Sequence, residues 1–370
     1  MGLDARRMAA LERLDHATMP TSAEEVWRYS RVDELDMALF SSVMGGVTVT
    51  HGDLGPAVVA RGAAAVDLLP EAPTEGDALV WWHEVLAVDP IVIVVPPGVS
   101  VEEPIVVRHI GTADGCVSAP HLVVRAGANS RVVVEERFEG GGAGLVLPRT
   151  VLQVADAAQV GYVGFQELHR SAWTIGTLEM AIEAQATVTA GLAGFGGDYA
   201  RVRTDCSLIG RGATGTLLAA YFGDGDQTLD YRTFQDHVAP DTTSNLLFKG
   251  TVSDRSRSVY TGLIRVGKEA RGTNAFQTNR NIKLSEEAWA ESVPNLEIEN
   301  NDVHCSHASA VGPIDEDQRF YLESRGVPTV VAERLIVAGF FDEVFSAFPT
   351  TDLRPALDAA VAVKVQTVLA

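Results

Sequence analysis

Between residues 88 and 312 apolar and polar positions alternate in short runs. Stretches such as VVVEE, VLQVADA, LEMAIEA, NLLFKG and GLIRV are broken by small or polar turns. Runs of this length and composition predict strands rather than helices. The turns recur at a nearly constant interval. Those beginning at Pro96, Ala126, Ala155, Glu183, Gly210, Ala239, Gly267 and Glu299 are separated by 30, 29, 28, 27, 29, 28 and 32 positions. A period of this size points to a solenoid, in which each coil buries its apolar stripe by stacking on the next. No amphipathic helix separates successive strand runs, which argues against a βαβ sheet. A β-sandwich with regular strands is the structural alternative. The expected fold class is mainly β: a β-helix (solenoid) core over 88–312. It is flanked by an N-terminal helical or mixed region, 1–87, and a C-terminal helical region, 313–370.

The pattern changes at both ends. Residues 4–15 and 22–38 read as helical, with Ser22 as an N-cap and Glu25 three residues later. After Pro313, residues 314–326 and 328–345 read as two helices, and 353–369 as another. In the second of these, Ala332, Leu335, Ile336, Gly339, Phe340, Val344 and Phe348 recur at three- and four-residue spacings. That apolar stripe must dock either on the end of the solenoid or on a partner.

Composition narrows the function. The chain has 370 residues, 46% of them hydrophobic, and a net charge of -20. Such an acidic chain repels phosphate backbones, so nucleic acid is not an expected partner. Three widely spaced cysteines give no disulfide framework and fit a reducing cytosol. The N-terminus has no long apolar core, and Arg6 breaks the myristoylation pattern. The longest apolar runs, such as IVIVV, are strand-sized. The expectation is a soluble, cytoplasmic protein without a membrane partner.

Several motifs are decoys. Gly210 to Gly215 spells G-x-G-x-x-G after a strand, but TLLAAYFGDG follows instead of a helix, and the glycines sit on the repeat turn. There is no G-x-x-x-x-G-K-[ST], H-E-x-x-H, G-x-S-x-G or Cys-x-x-Cys. P-loop hydrolysis, a standard closed zinc site and a self-contained iron–sulfur site are therefore not expected. The pairs Glu135-Glu136 and Glu286-Glu287 read as solvated strand or turn positions.

One constellation remains. NDVHCSHASAVG, 301–312, places His304, Cys305 and His307 within four positions. On a strand, Val303, Cys305 and His307 share one face, and His304 and Ser306 the other. Cys305 and His307 could then reach one metal together. Two ligands hold a metal poorly, so the rest must come from another chain or a bound cluster. In the plain alternative Cys305 packs as a small hydrophobe and His307 hydrogen-bonds to a neighbour.

The segment PNLEIENNDVHCSHASAVGPIDEDQRFYLESRGV resembles the C-terminal signature of the SufB/SufD proteins of iron–sulfur cluster assembly, through Pro294, Asp302, Cys305, Ser306, His307, Gly312, Tyr321, Arg325 and Gly326 among others. SNLLFKG, YTGLIRV, NAFQTNRNIKLS and PPGVSVEEPIVV are similar to further family segments, and PTSAEEVWRYS to a SufD-type stretch. VWWHEVLA, 80–87, follows the family only loosely. SufB carries a cysteine within the segment that here reads Gln277 to Asn281, where none stands. The chain thus looks most like SufD.

The resemblance implies a β-helix between two helical regions, acting as a non-catalytic scaffold subunit of a SufBCD complex. It implies pairing with a SufB-like paralogue through the β-helix, or a homodimer when alone. It also implies binding of a SufC-like ABC ATPase by the C-terminal helices, with Leu335, Ile336, Phe340, Phe341 and Val344 as the partner-facing stripe. No cofactor would be stably bound. His307, and secondarily Cys305, would meet a transient iron or iron–sulfur cluster shared with the partner. Two other readings stay open: a SufB-like primary scaffold, and a β-helix carbohydrate-active enzyme using Arg201, Arg203, Arg211, Arg255 and Arg257. The charge and the lack of a secretion signal count against the latter.

Overall fold

The computed structural model describes residues 2–43 and 45–369. From Ile91 to Gly312 the strands are dealt out largely in alternation to two sheets of twelve and nine strands. Between the two ends, the long solenoid strands pair in parallel with their counterparts one coil earlier and one coil later. Thr228–His237, for example, lies between Tyr199–Leu208 and Arg257–Val266, with Thr228 opposite Tyr199 and Arg257. The sequence period is therefore one coil, and about eight turns stack. A corner of each coil is left-handed: Gly98, Asn129, Ala157, Gln185, Gly212, Asp241 and Gly272 all have φ between +57° and +73°. Gly, Asn and Asp suit that conformation; Ala157 and Gln185 hold it at a steric cost.

Side chains alternate in and out along every strand. In the early coils the inward positions are mostly aliphatic, as with Val124, Val134, Leu152, Val154 and Ile182. In the late coils they turn polar: Thr233, Gln235, His237, Ser258, Gln277, Asn279 and Asn281 are all buried. The outward positions carry the flanking regions. The N-terminal region packs Trp27, Val32, Leu79 and Leu86 against Val117, Leu145 and Ile175 of the twelve-stranded sheet. The C-terminal helices pack against Val163, Phe165, Leu218 and Phe222 of the nine-stranded sheet.

Five α-helices are described: α1 Leu3–Leu14, α2 Ala78–Leu86, α3 Glu316–Ser324, α4 Thr329–Phe345 and α5 Arg354–Val368. Four lie where the apolar spacing predicts them. Residues 22–38 do not form the expected helix. They hold only three single 3-10 turns, Glu25–Trp27, Val32–Glu34 and Met37–Leu39. The cause is tertiary. Arg201 donates to the Val26 carbonyl at 2.6 Å, and Arg232 donates to the Arg28 carbonyl. Both guanidiniums are buried and share Asp230, with Arg201 at 2.5 Å and Arg232 at 3.0 Å. The Trp27 ring stacks 4.1 Å from the Arg201 guanidinium. These carbonyls serve the clamp instead of a helix. Conversely, VWWHEVLA is helical as part of α2, capped by the Asp77 carboxylate on the Leu79 and Val80 amides.

Two further expectations are corrected. Phe341 and Val344 are not partner-facing. Both are fully buried, because α4 lies along the outer face of the nine-stranded sheet instead of on the solenoid end. Lys249 fixes it by donating to the Phe340 carbonyl at 2.8 Å, and Lys364 fixes α5 by donating to Asp224 at 2.7 Å. Glu135 and Glu136 are likewise buried, not solvated. Glu136 accepts from Tyr162 at 2.7 Å and Thr150 at 2.5 Å, with His109 at 2.9 Å. Glu135 accepts from Arg137 at 2.6 Å and Thr350 at 3.0 Å.

Candidate functional site at the open end of the solenoid

The two ends of the solenoid are built differently. At the first, Gly46–Thr50 and Val58–Arg61 run antiparallel along Ile105–Ile110 and Ile91–Val95. At the last, Trp289–Ile298 pairs only with Arg257–Val266, and Val303–Gly312 only with Thr273–Lys283. Their outer edges have no strand partner among the described residues. Pro294, which has no amide proton to give, sits on one of them, where an edge tolerates it.

Register places the sequence motif at this mouth. Cys305 lies beside Ala275 and His307 beside Gln277, both interior positions of the coil below. Cys305 and His307 therefore continue inward-facing columns at the point where the solenoid stops. His304 lies beside Asn274, on the other face. Cys305 is half-buried and packs with Leu296 and Val303 over Ile264, Val266 and Ala275. That burial pushes its thiol pKa up, so the thiolate is disfavoured in the isolated chain. His307 is exposed. Among the described residues, no group of three potential ligands close enough for one ion includes either residue.

Behind the mouth runs a hydrogen-bonded polar column that sequence reasoning missed. Gln277 donates to the Tyr260 hydroxyl, which lies 2.9 Å from the Thr233 hydroxyl. Asn279 donates to the Tyr221 hydroxyl at 3.1 Å, Tyr221 to Asn281 at 3.0 Å, and Asn281 back to Asn279 at 2.8 Å. The signal was present: NAFQTNRN places Gln277, Asn279 and Asn281 two apart, on one strand face.

Beside the mouth, α3, α4 and the last coils enclose a groove of about 1070 Å³, lined by Arg280, Val311, Tyr321, Leu335, Ile336 and Phe340 among others. Three of the five expected partner-facing residues thus reach this groove, while Phe341 and Val344 lie beneath it. Leu335, Val331, Phe320 and Tyr321 are exposed. Of the five arginines considered for a sugar-binding face, Arg257 is exposed and the other four are committed to carboxylates, so they form no free basic stripe. Arg201 pairs with Asp230, Arg203 with Asp205, Arg211 with Asp241 and Arg255 with Asp226. No helix among the described residues is long and apolar enough to cross a membrane.

Comparison with known proteins supplies a family. Residues 109–340 match the model of the SUF system FeS cluster assembly SufBD core domain. An iron-sulfur cluster assembly SufBD family protein of Mycobacterium tuberculosis is 35% identical over 275 residues, covering 71% of this chain and 68% of its own length. The iron-sulfur cluster assembly protein SufD of Escherichia coli is 27% identical over 376 residues, covering 93% and 89%. The protein of the same name in Bacillus subtilis is 26% identical over 280 residues, covering 74% and 63%.

Proposed function

The chain belongs to the SufBD family of iron–sulfur cluster assembly proteins, and on that premise we propose that it acts as the SufD-type, non-catalytic scaffold subunit. The observation that carries this reading is the pair of ten-residue edges at Trp289–Ile298 and Val303–Gly312, which have no further strand partner among the described residues. Long unpaired edges are ordinarily blunted or covered. A second β-helix offering matching edges, from a SufB-like paralogue, would continue both sheets through main-chain hydrogen bonds. When that paralogue is absent, a second copy of this chain takes its place.

His307 then faces the partner's mouth. Its imidazole serves as a neutral ligand or a proton-handling neighbour for iron or a nascent cluster, which is cargo of the complex. Cys305 contributes second, since its thiolate forms only when a metal or a partner charge offsets its burial. The groove with Leu335, Ile336 and Phe340, together with the exposed Val331 and Phe320, takes a SufC-like ABC ATPase.

The test is an anaerobic pull-down of the tagged chain from native lysate, with partners identified by mass. A larger paralogous β-helix protein and an ABC-type ATPase in one complex support the reading. Recovery of a lone monomer sinks it. His307→Ala should keep the complex together and lower the iron it carries.

A further inference from the structure

A second set of metal-ligating side chains lies far from the open mouth, where the N-terminal region meets the early coils. His83 and Glu84 sit side by side in α2. His121 begins the strand His121–Ala126 and lies on its outward face, in line with Val123 and Arg125. A nitrogen of each imidazole and an oxygen of Glu84 all fall within 4.8 Å of one another. The two rings meet edge to face at a centroid distance of 5.0 Å.

Two independent features set this cluster apart from ordinary core histidines. First, His83 and His121 are only 5% and 2% exposed, yet the Nε2 atom of each has no hydrogen-bond partner. Leaving a buried imidazole nitrogen unpaired is costly, and buried polar groups are normally satisfied. Second, His83 already uses Nδ1 on the Leu147 carbonyl at 2.8 Å. That bond places the ring proton on Nδ1 and leaves a lone pair on Nε2. A backbone carbonyl behind one ring nitrogen is the usual support of a metal-bound histidine.

The charges allow a cation. Glu84 accepts from Arg6 and from Arg149, each at 2.7 Å, and Arg149 also pairs with Glu179 at 2.8 Å. Two guanidiniums and two carboxylates cancel, so the cluster is formally neutral before an ion enters. Arg6 also donates to Oε1 at 3.2 Å, so Oε1 is filled by two guanidiniums, and Oε2, which accepts from Arg6 alone, is the oxygen that keeps a lone pair for an ion. His83 lies in the last turn of α2, where the carbonyl end of the helix favours positive charge. On one side His83, but neither Glu84 nor His121, lines a cavity of about 450 Å³ that also reaches Arg149 and Glu179. A water from that cavity can complete a tetrahedron.

We propose that His83, His121 and Glu84 form a binding site for a single divalent transition ion of borderline softness, such as zinc or iron(II). Two imidazoles and one carboxylate are the ligand set such ions accept. The bound ion would pin α2 to the solenoid and stabilise the folded chain by mass action. It is separate from the His307 mouth and independent of any partner.

The test uses the full-length protein with the mouth removed, His304→Ala, Cys305→Ser and His307→Ala, so that zinc bound there cannot be mistaken for this site. Calorimetric titration with zinc sulfate should give one ion per chain, and melting should shift upward with zinc and back with chelator. Adding His83→Gln or His121→Gln should weaken binding by more than roughly 100-fold, because losing even an outer partner of a ligand costs about 10–100-fold. Zinc-edge X-ray absorption on the mouth-less protein should show two imidazoles, and cobalt(II) should give a tetrahedral visible spectrum. The absorption measurement keeps the test decisive if either histidine variant fails to fold. Absence of stoichiometric zinc, an all-oxygen shell, or unchanged affinity in both histidine variants would overturn the proposal. A bridging water would then fill the cluster.

Discussion

The first and last coils of this solenoid share one backbone geometry and differ in nearly everything else. The first coils are filled mainly with Val, Ile and Leu, around one polar knot of Glu136, His109, Thr150 and Tyr162, and are sealed by antiparallel strands from the N-terminal region. The last coils add Thr, Gln, Asn, Tyr and His to a smaller apolar set that includes Phe248, Ile264 and Val266, and they end in two edges with no strand partner among the described residues. Dispersion and water exclusion stabilise the first; hydrogen bonds that must each be satisfied hold the second. Under the proposed function, one end supplies stability and the other recognition. A closed apolar end holds the stack together, whereas a polar end with unpaired main chain is suited to meeting a second solenoid.

The comparison breaks most readily in the apolar half. Leu152 is fully buried among early-coil aliphatic side chains. Leu152→Ala should lower the unfolding free energy by about 2–5 kcal/mol in urea titrations followed by circular dichroism. A loss below about 1 kcal/mol would mean that this half is no better packed than the polar one.

In the polar half, acid is the sharper probe. His237 is buried between the Thr242 and Ser244 hydroxyls, each 2.8 Å away. Burial lowers its pKa from 6.5 to about 4. The folded state therefore prefers the neutral ring, and the unfolded chain takes up the proton first as pH falls. This contribution is fully present above pH 6.5 and is lost as pH drops towards 4. Its size is at most about 3 kcal/mol. His237→Gln should lose less stability than the parent between pH 7 and pH 4.5, and comparing the two proteins cancels the titration of every other group. Identical slopes would remove His237 from the account.

Gln277 should matter less. Its amide donates to Tyr260, but its Oε1 already has no partner. Gln277→Ala should cost about 1 kcal/mol in the same unfolding assay, well below Leu152→Ala. If the two costs match, the polar column is as firmly packed as the aliphatic one.

What the sequence made legible follows from the same contrast. A repeat in which every coil obeys the same alternation writes its period into the chain, so the stack, its turns and four of the five helices could be read directly. The facing of Cys305 and His307 was legible for the same reason, since strand parity is local. Contacts between distant segments were not. The 22–38 segment looked helical because its own pattern carries no sign of Arg201 and Arg232, which claim its carbonyls from far along the chain. Phe341 and Val344 looked available because periodicity marks an apolar face without naming what covers it. His83 and His121 belong to different regions, and only the docking of α2 brings them together.

The smallest effect on the chain itself should carry the largest effect on its assembly. Ser309 lies opposite Asn279, an inward-facing position, and is exposed because no coil follows. Ser309→Lys places an ammonium in that open mouth, where water still solvates it. Unfolding of the isolated chain should change by less than about 0.5 kcal/mol, as for most surface substitutions. Docking a second solenoid there would strip the ammonium of water, at an effective cost of several kcal/mol. An inward-pointing lysine on an edge strand is also a device natural sheets use against edge pairing. The variant should therefore remain folded and bind the ATPase through its C-terminal helices, yet fail to retain the paralogous β-helix protein or a second copy of itself. Size-exclusion chromatography with light scattering reads both outcomes. A variant that still pairs would show that the partner does not cover this mouth, and the distinction between a sealed end and a recognising end would have to be abandoned.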